Sequence, residues 1–209
     1  MKKSSQMRGM FLLLGMTVFM LITGGCASTR EARFFILPVD PADVRLSRDA
    51  APAQFNVRLL LPRIPAYLDR PQLVTRLSQY EVRGSEFHRW GMPLDKGVAR
   101  FLSARLGAEL PEACVQMGTG ATAVKPTDYT LLVELVTLDG KLGGDIDLVA
   151  EWTLFGADNR AEPLVRRLEL YRQPVAGVDY DNYVAALAEA LGRLATDLAA
   201  AIRAQLAKD

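Results

Sequence analysis

Alternation of apolar and polar positions organises most of the chain after residue 31. Phe55, Val57 and Leu59 alternate with Gln54, Asn56 and Arg58, a strand over 54–61. Ile146, Leu148, Ala150, Trp152 and Leu154 alternate with Asp147, Val149, Glu151, Thr153 and Phe155, so the strand 145–155 has one core face and one partly wet face. Ala32 to Pro38 reads as a first strand, and 72–78, 80–83, 86–90, 112–117, 128–138 and 163–171 as further ones, with Gly84 and Ser85 turning the chain between two of them. Lys141 to Gly144 and Ala157 to Ala161 suit hairpin connections.

Two segments change to helical spacing. Pro93 opens a helix whose stripe is Leu94, Val98, Phe101, Leu102, Leu106 and Leu110, and Pro111 ends it. Val184, Leu187, Leu191, Leu194, Leu198, Ile202 and Leu206 give a long amphipathic helix over about 180–207. That helix reads as a cover for the apolar face of a sheet, rather than as a coiled-coil seam with another subunit. The expected fold class is α+β: an antiparallel-rich mixed sheet covered by two main helices, in one domain over 32–209 behind a signal segment.

The N-terminus follows a different rule. Lys2, Lys3 and Arg8 precede a 14-residue apolar stretch, Gly9 to Ile22, then Thr23, Gly24, Gly25 and Cys26. A spanning helix needs ~20 apolar residues, so the stretch is short for one and fits the core of an export signal. Small residues before a cysteine resemble a lipobox, although Thr23 stands where that pattern usually has leucine. Residues 1–25 are then a lipoprotein signal peptide, Cys26 the lipidated residue, and 26–31 a tether. An ordinary secretory signal, or a membrane anchor with an incidental cysteine, is the alternative, which the placement of one of only two cysteines disfavours. Ala27 and Ser28 follow without an aspartate, which resembles lipoproteins sent to the periplasmic face of the outer membrane, with the inner membrane as the other destination. The second cysteine, Cys114, is expected to be a reduced, buried thiol; a Cys26–Cys114 disulfide would exclude lipidation.

Composition then narrows the function. Taking Lys2, Lys3 and Arg8 from 25 basic residues leaves 22 against 24 acidic, a net of −2. That offers no basic footprint for nucleic acid. His88 is the single histidine, without a cysteine cluster beside it, so neither a His/Cys metal site nor a second triad histidine is available. No Gly-x-Ser-x-Gly elbow and no phosphate-binding loop occur. Carboxylate pairs such as Asp145 and Asp147 are ordinary for any soluble chain. No catalytic residue, cofactor or metal is expected.

The most distinctive tract is Leu61-Pro-Arg-Ile-Pro-Ala-Tyr-Leu-Asp-Arg-Pro-Gln-Leu-Val-Thr-Arg76, followed by Arg89-Trp-Gly-Met-Pro-Leu94. On Pro62, Tyr67 to Gln72, Val74, Arg76, Arg89, Trp90, Pro93 and Leu94, with Cys26 and Arg33 to Pro38 ahead of them, the chain resembles the PqiC/YmbA-type lipoproteins, the auxiliary lipoprotein component of ABC-type transport systems. The resemblance is strongest over 54–110; over 111–209 only the general plan matches, and Gly91 stands where the family often has alanine. It implies a non-catalytic accessory subunit that works with MCE-domain proteins to move lipid between inner and outer membrane. Tyr67, Leu68, Asp69, Arg70, Pro71 and Gln72 become candidate partner-contact residues, because Tyr and Arg are frequent interface anchors and the prolines restrict the loop. The structural alternative is that Pro71 holds Arg70 extended, Asp69 caps or pairs with Arg70, and Tyr67 fills the core edge. Trp90 and Pro93 read as core and helix-start residues. Self-association stays open, as do two other functions: a lipoprotein that itself binds a lipid or other small hydrophobic ligand, and an envelope hydrolase.

Overall fold

The computed structural model describes residues 30–41, 52–118, 128–157 and 162–208. Among the described residues, eight strands and two helices follow one another as β1 (Arg33–Phe35), β2 (Phe55–Leu60), β3 (Gln72–Arg76), β4 (Val82–Trp90), α1 (Leu94–Glu109), β5 (Ala113–Gly118), β6 (Tyr129–Gly140), β7 (Asp145–Gly156), β8 (Val165–Pro174) and α2 (Tyr180–Leu206). The α+β class stands. The strands divide between two sheets, a three-stranded one ordered β1-β4-β3 and a five-stranded one ordered β5-β2-β6-β7-β8.

The antiparallel part of the larger sheet is local. β6, β7 and β8 pair in sequence, and the first turn closes where Gly144 N–H donates to Lys141 O at 3.1 Å. Gly143 has φ +68°, the left-handed region that a side chain disfavours. Gly140 has no room for a side chain, since a Cβ there would lie 2.1 Å from Asp145 O. The expected connection over 157–161 falls mostly outside the described residues. β2, by contrast, runs parallel to both its neighbours, β5 and β6. Parallel neighbours need crossovers, and α1 lies on the path from β2 to β5.

The alternation over β7 holds residue by residue: Ile146, Leu148, Ala150, Trp152 and Leu154 are fully buried. The stripe of α2 packs on β7, β8 and α1, and Leu187, Leu191, Leu194, Leu198 and Ile202 are buried there. Asp179 caps α2 by accepting from Asn182 N–H at 2.9 Å. Pro93 stands at the N-cap of α1, one residue ahead of the first helical position.

Two expectations need correction. Gly84 and Ser85 do not turn the chain; they lie within a continuous β4. Gly84 is a close-approach position instead, opposite Val74, where a Cβ would come within 3.3 Å of Gln72 Cβ. Cys114 is half-buried rather than buried, because β5 is the edge strand of its sheet. Its Sγ lies 3.6 Å from Gln116 Nε2.

Candidate partner-contact surface

The tract between β2 and β3 is held from both ends. Beyond Leu60 the chain continues along β6, with Arg63 N–H donating to Val133 O at 3.0 Å and Leu135 N–H to Arg63 O at 2.8 Å. It then folds into tight turns, Leu68 N–H to Pro65 O at 2.9 Å and Arg70 N–H to Leu68 O at 2.8 Å. At the far end, Trp90 N–H donates to Pro71 O at 2.7 Å and ties the loop to β4.

The six candidate residues separate by direction. Leu68 is in the core at 3 % exposure. Tyr67 is half-buried against the core, and its hydroxyl donates to Asp139 Oδ2. Burial, then the Asp139 carboxylate, push the Tyr67 hydroxyl pKa well above its ordinary value, so it stays a donor. Gln72 is half-buried as the first residue of β3. Asp69, Arg70 and Pro71 are exposed, and no ion pair joins Asp69 to Arg70 among the described residues. Tyr67 and Leu68 thus point inward, while the three residues after them face outward.

These three do not stand alone. Asp69, Arg70 and Pro71 form one wall of a groove of about 330 Å³ whose other wall is Trp90, Gly91, Met92, Pro93 and Leu94. The two separated stretches of the distinctive tract therefore meet at one surface feature. Trp90 contributes a buried ring at 8 % exposure, and Pro93 and Leu94 begin α1.

Behind the loop lies a polar cluster that sequence reasoning missed. Asp139, 2 % exposed, accepts from Arg76 Nε at 2.5 Å and Nη2 at 2.9 Å as well as from Tyr67. The carboxylate raises the Arg76 pKa further above its ordinary value. One turn into α2, the Tyr183 hydroxyl donates to Val74 O at 2.8 Å and accepts from Gly140 N–H at 3.0 Å. Burial raises its pKa. The cluster pins β3, in the small sheet, to β6, in the large one. Its only sequence signal is an aspartate at the end of an apolar strand, which any hairpin offers.

A second concavity of about 700 Å³ lies between Pro38–Pro41 and the two helices, with Phe101 and Ala188 beside Arg105, Glu189 and Arg193. His88 stacks on Tyr180, ring centroids 3.9 Å apart, with its Nδ1 2.7 Å from Ser85 Oγ. Asp147 is paired with Arg172 at 2.7 Å, across the β7–β8 ladder. Among the described residues no three His, Cys, Asp or Glu side chains converge as a metal site, and no helix is long and apolar enough to cross a membrane. Cys26 lies outside the described residues.

Comparison with known proteins fits this plan. A family model described as the ABC-type transport auxiliary lipoprotein component matches residues 36–199. A crystal structure of an uncharacterized protein superposes with a TM-score of 0.68 at 19% identity, covering 83% of this chain and 99% of that one. Protein XCC0632 from Xanthomonas campestris superposes with a TM-score of 0.64 at 15% identity, covering 85% of this chain and 99% of that one. At these identities the likeness concerns the fold. No curated protein matches the sequence.

Proposed function

The chain belongs to the family of ABC-type transport auxiliary lipoprotein components, and on that premise we propose that it is a non-catalytic accessory subunit of an MCE/ABC-type lipid transport system between inner and outer membrane. In this reading, lipid on Cys26 holds the domain at the periplasmic face of the outer membrane. An MCE-domain protein docks against Asp69, Arg70 and Pro71 and the groove they share with Trp90 to Leu94. Tyr67 and Leu68 hold the loop in place from inside, and Gln72 continues it into β3.

The observation that carries the reading is the meeting of the two tract segments at one groove beside an exposed arginine. Arginine is over-represented among binding hot spots, and a loop tied at both ends loses little entropy on docking. Co-purification with the MCE-domain protein of the same cells tests it. Arg70→Ala should melt like wild type and bind roughly 30-fold more weakly, the effect of losing an anchor of ~2 kcal/mol. Unchanged binding by Arg70→Ala and by Asp69→Ala would place the contact elsewhere.

One observation favours a second reading, a lipoprotein that itself takes up a lipid or other small hydrophobic ligand: the concavity of about 700 Å³ beside the helices is within the size range of ligand sites. Native mass spectrometry of protein purified in a mild detergent would reveal a co-purifying lipid.

A further inference from the structure

β1 and the two residues that follow it alternate between core and surface. Phe35 and Leu37 are buried at 8 % and 4 %, while Phe34 and Ile36 are 67 % and 49 % exposed. Solvent-facing positions of an edge strand ordinarily carry polar or charged residues. Here both are large and apolar. They are also fixed in direction. Arg33 bonds Asp181 at the start of α2 at 2.8 Å, and Gly91 N–H donates to Phe35 O at 2.7 Å. The parallel register sets Phe34 beside Arg89 of β4, on the same face. An aromatic and an aliphatic side chain next to an arginine is the mixture that settles at a bilayer interface, the ring among the acyl chains and the cation at the phosphates.

The position of this patch in the chain points to its occupant. An extended chain spans about 3.5 Å per residue, so the eight residues from Cys26 to Phe34 keep Phe34 within roughly 28 Å of the anchoring sulfur. We propose that Phe34, Ile36 and Arg89 form a membrane-facing edge that rests on the lipid surface to which Cys26 is attached. The inference depends on lipidation of Cys26 as read above. A patch of this size would hold a free protein only weakly. Tethering makes the contact intramolecular, so a small apolar area suffices to orient the domain. Ile36 lies over Gly91, where an added Cβ would come within 3.0 Å of it, so this edge adjoins the groove at Trp90–Leu94. A domain resting this way keeps that groove next to the bilayer surface.

The test uses the full mature protein, purified with its lipid and reconstituted in phosphatidylethanolamine/phosphatidylglycerol vesicles containing acyl-brominated phospholipid. Phe34→Trp, Ile36→Trp and, as a distant control, Leu168→Trp each introduce a reporter, with wild-type emission subtracted for Trp90 and Trp152. Leu168 is 66 % exposed on β8, which belongs to the other sheet. The reporters at 34 and 36 should shift to the blue and lose intensity to the brominated lipid, and the control should do neither. Two substituted positions guard against one variant folding poorly, and each is melted beside wild type. Equal quenching at all three positions, or none at 34 and 36 in protein whose Cys26 carries lipid by mass spectrometry, overturns the membrane-facing edge alone. Unmodified Cys26 overturns the anchoring and this inference together. A blue shift at 34 that requires an added MCE-domain protein, or that follows protein concentration without lipid, assigns the edge to a protein partner or a second copy instead.

Discussion

Replacing Asp139 with alanine removes the acceptor at the centre of the cluster between the two sheets. It leaves the Arg76 guanidinium and the Tyr67 hydroxyl without their shared partner. Breaking a buried ion pair from one side typically costs ~3–5 kcal/mol. The Asp139 side chain is 2 % exposed but that of Arg76 is 31 % exposed, so water reaches the orphaned cation. The cost is accordingly scaled to ~2–3 kcal/mol. Tyr67→Phe removes one hydrogen bond to a carboxylate and should cost ~1.5 kcal/mol. Equilibrium urea unfolding reads both. With m of about 2 kcal/mol/M for a domain of this size, Asp139→Ala moves the midpoint down by about 1–1.5 M. The double variant Asp139→Ala/Tyr67→Phe should be less destabilised than the sum of the two single changes, because both remove the same bond. A midpoint within about 0.3 M of wild type for Asp139→Ala, with m unchanged, would show that the cluster does not hold the sheets together.

Other outcomes follow from the same geometry. Burial works to raise the Glu169 carboxyl, but hydrogen bonds from Tyr171 at 2.6 Å, Trp152 at 3.1 Å and Arg167 outweigh it and hold its pKa below the usual carboxylate range. Its contribution is therefore present above the unfolded value of about 4.3 and is lost as pH falls through the lower folded value, so the difference in melting temperature between wild type and Glu169→Gln should shrink below about pH 4. Gly140→Ala should destabilise on the order of 3 kcal/mol or prevent folding, since the new Cβ meets backbone at 2.1 Å; a melt like that of wild type would contradict the tight β6–β7 closure. Cys114→Ala should keep the fold and lose at most ~1 kcal/mol, being half-buried on an edge strand; loss of partner binding by a normally folded Cys114→Ala would give the thiol a role it lacks in this reading.

The parts of the fold legible from sequence are those set by neighbours along the chain. The β7 alternation from Ile146 to Leu154 and the α2 stripe from Val184 to Ile202 face the core as their periods require. Gly84 misled because a glycine that turns the chain and one that admits a neighbouring strand look identical in one dimension. The division into two sheets was hidden because it depends on which distant strands pair. Of the contact tract, Asp69 to Pro71 were legible as a restrained loop, but their meeting with Trp90 to Leu94 is set by the Trp90–Pro71 hydrogen bond across β3 and β4. Asp139 was silent for the same reason: its partners Tyr67 and Arg76 are 72 and 63 residues away.

The parallel setting of β2 also dictates an order of assembly. A chain made from its N-terminus completes β2 long before either neighbour exists: Asn56 N–H waits for a carboxylate 72 residues downstream, Asp128 Oδ2, which it reaches at 2.6 Å. β1 finds its strand partner β4 sooner, but its Arg33 contact with Asp181 lies 148 residues on. The β6–β7–β8 meander closes through adjacent turns and can form as soon as it emerges, whereas the parallel pairings must pay for large loops first. During that interval Phe55, Val57 and Leu59 are an unpaired apolar strand, the segment on which a holdase would act and where aggregation would begin. β2 is thus made early and paired late, whereas β3 and β4, which follow it and pair antiparallel across a short connection, can close as soon as they emerge.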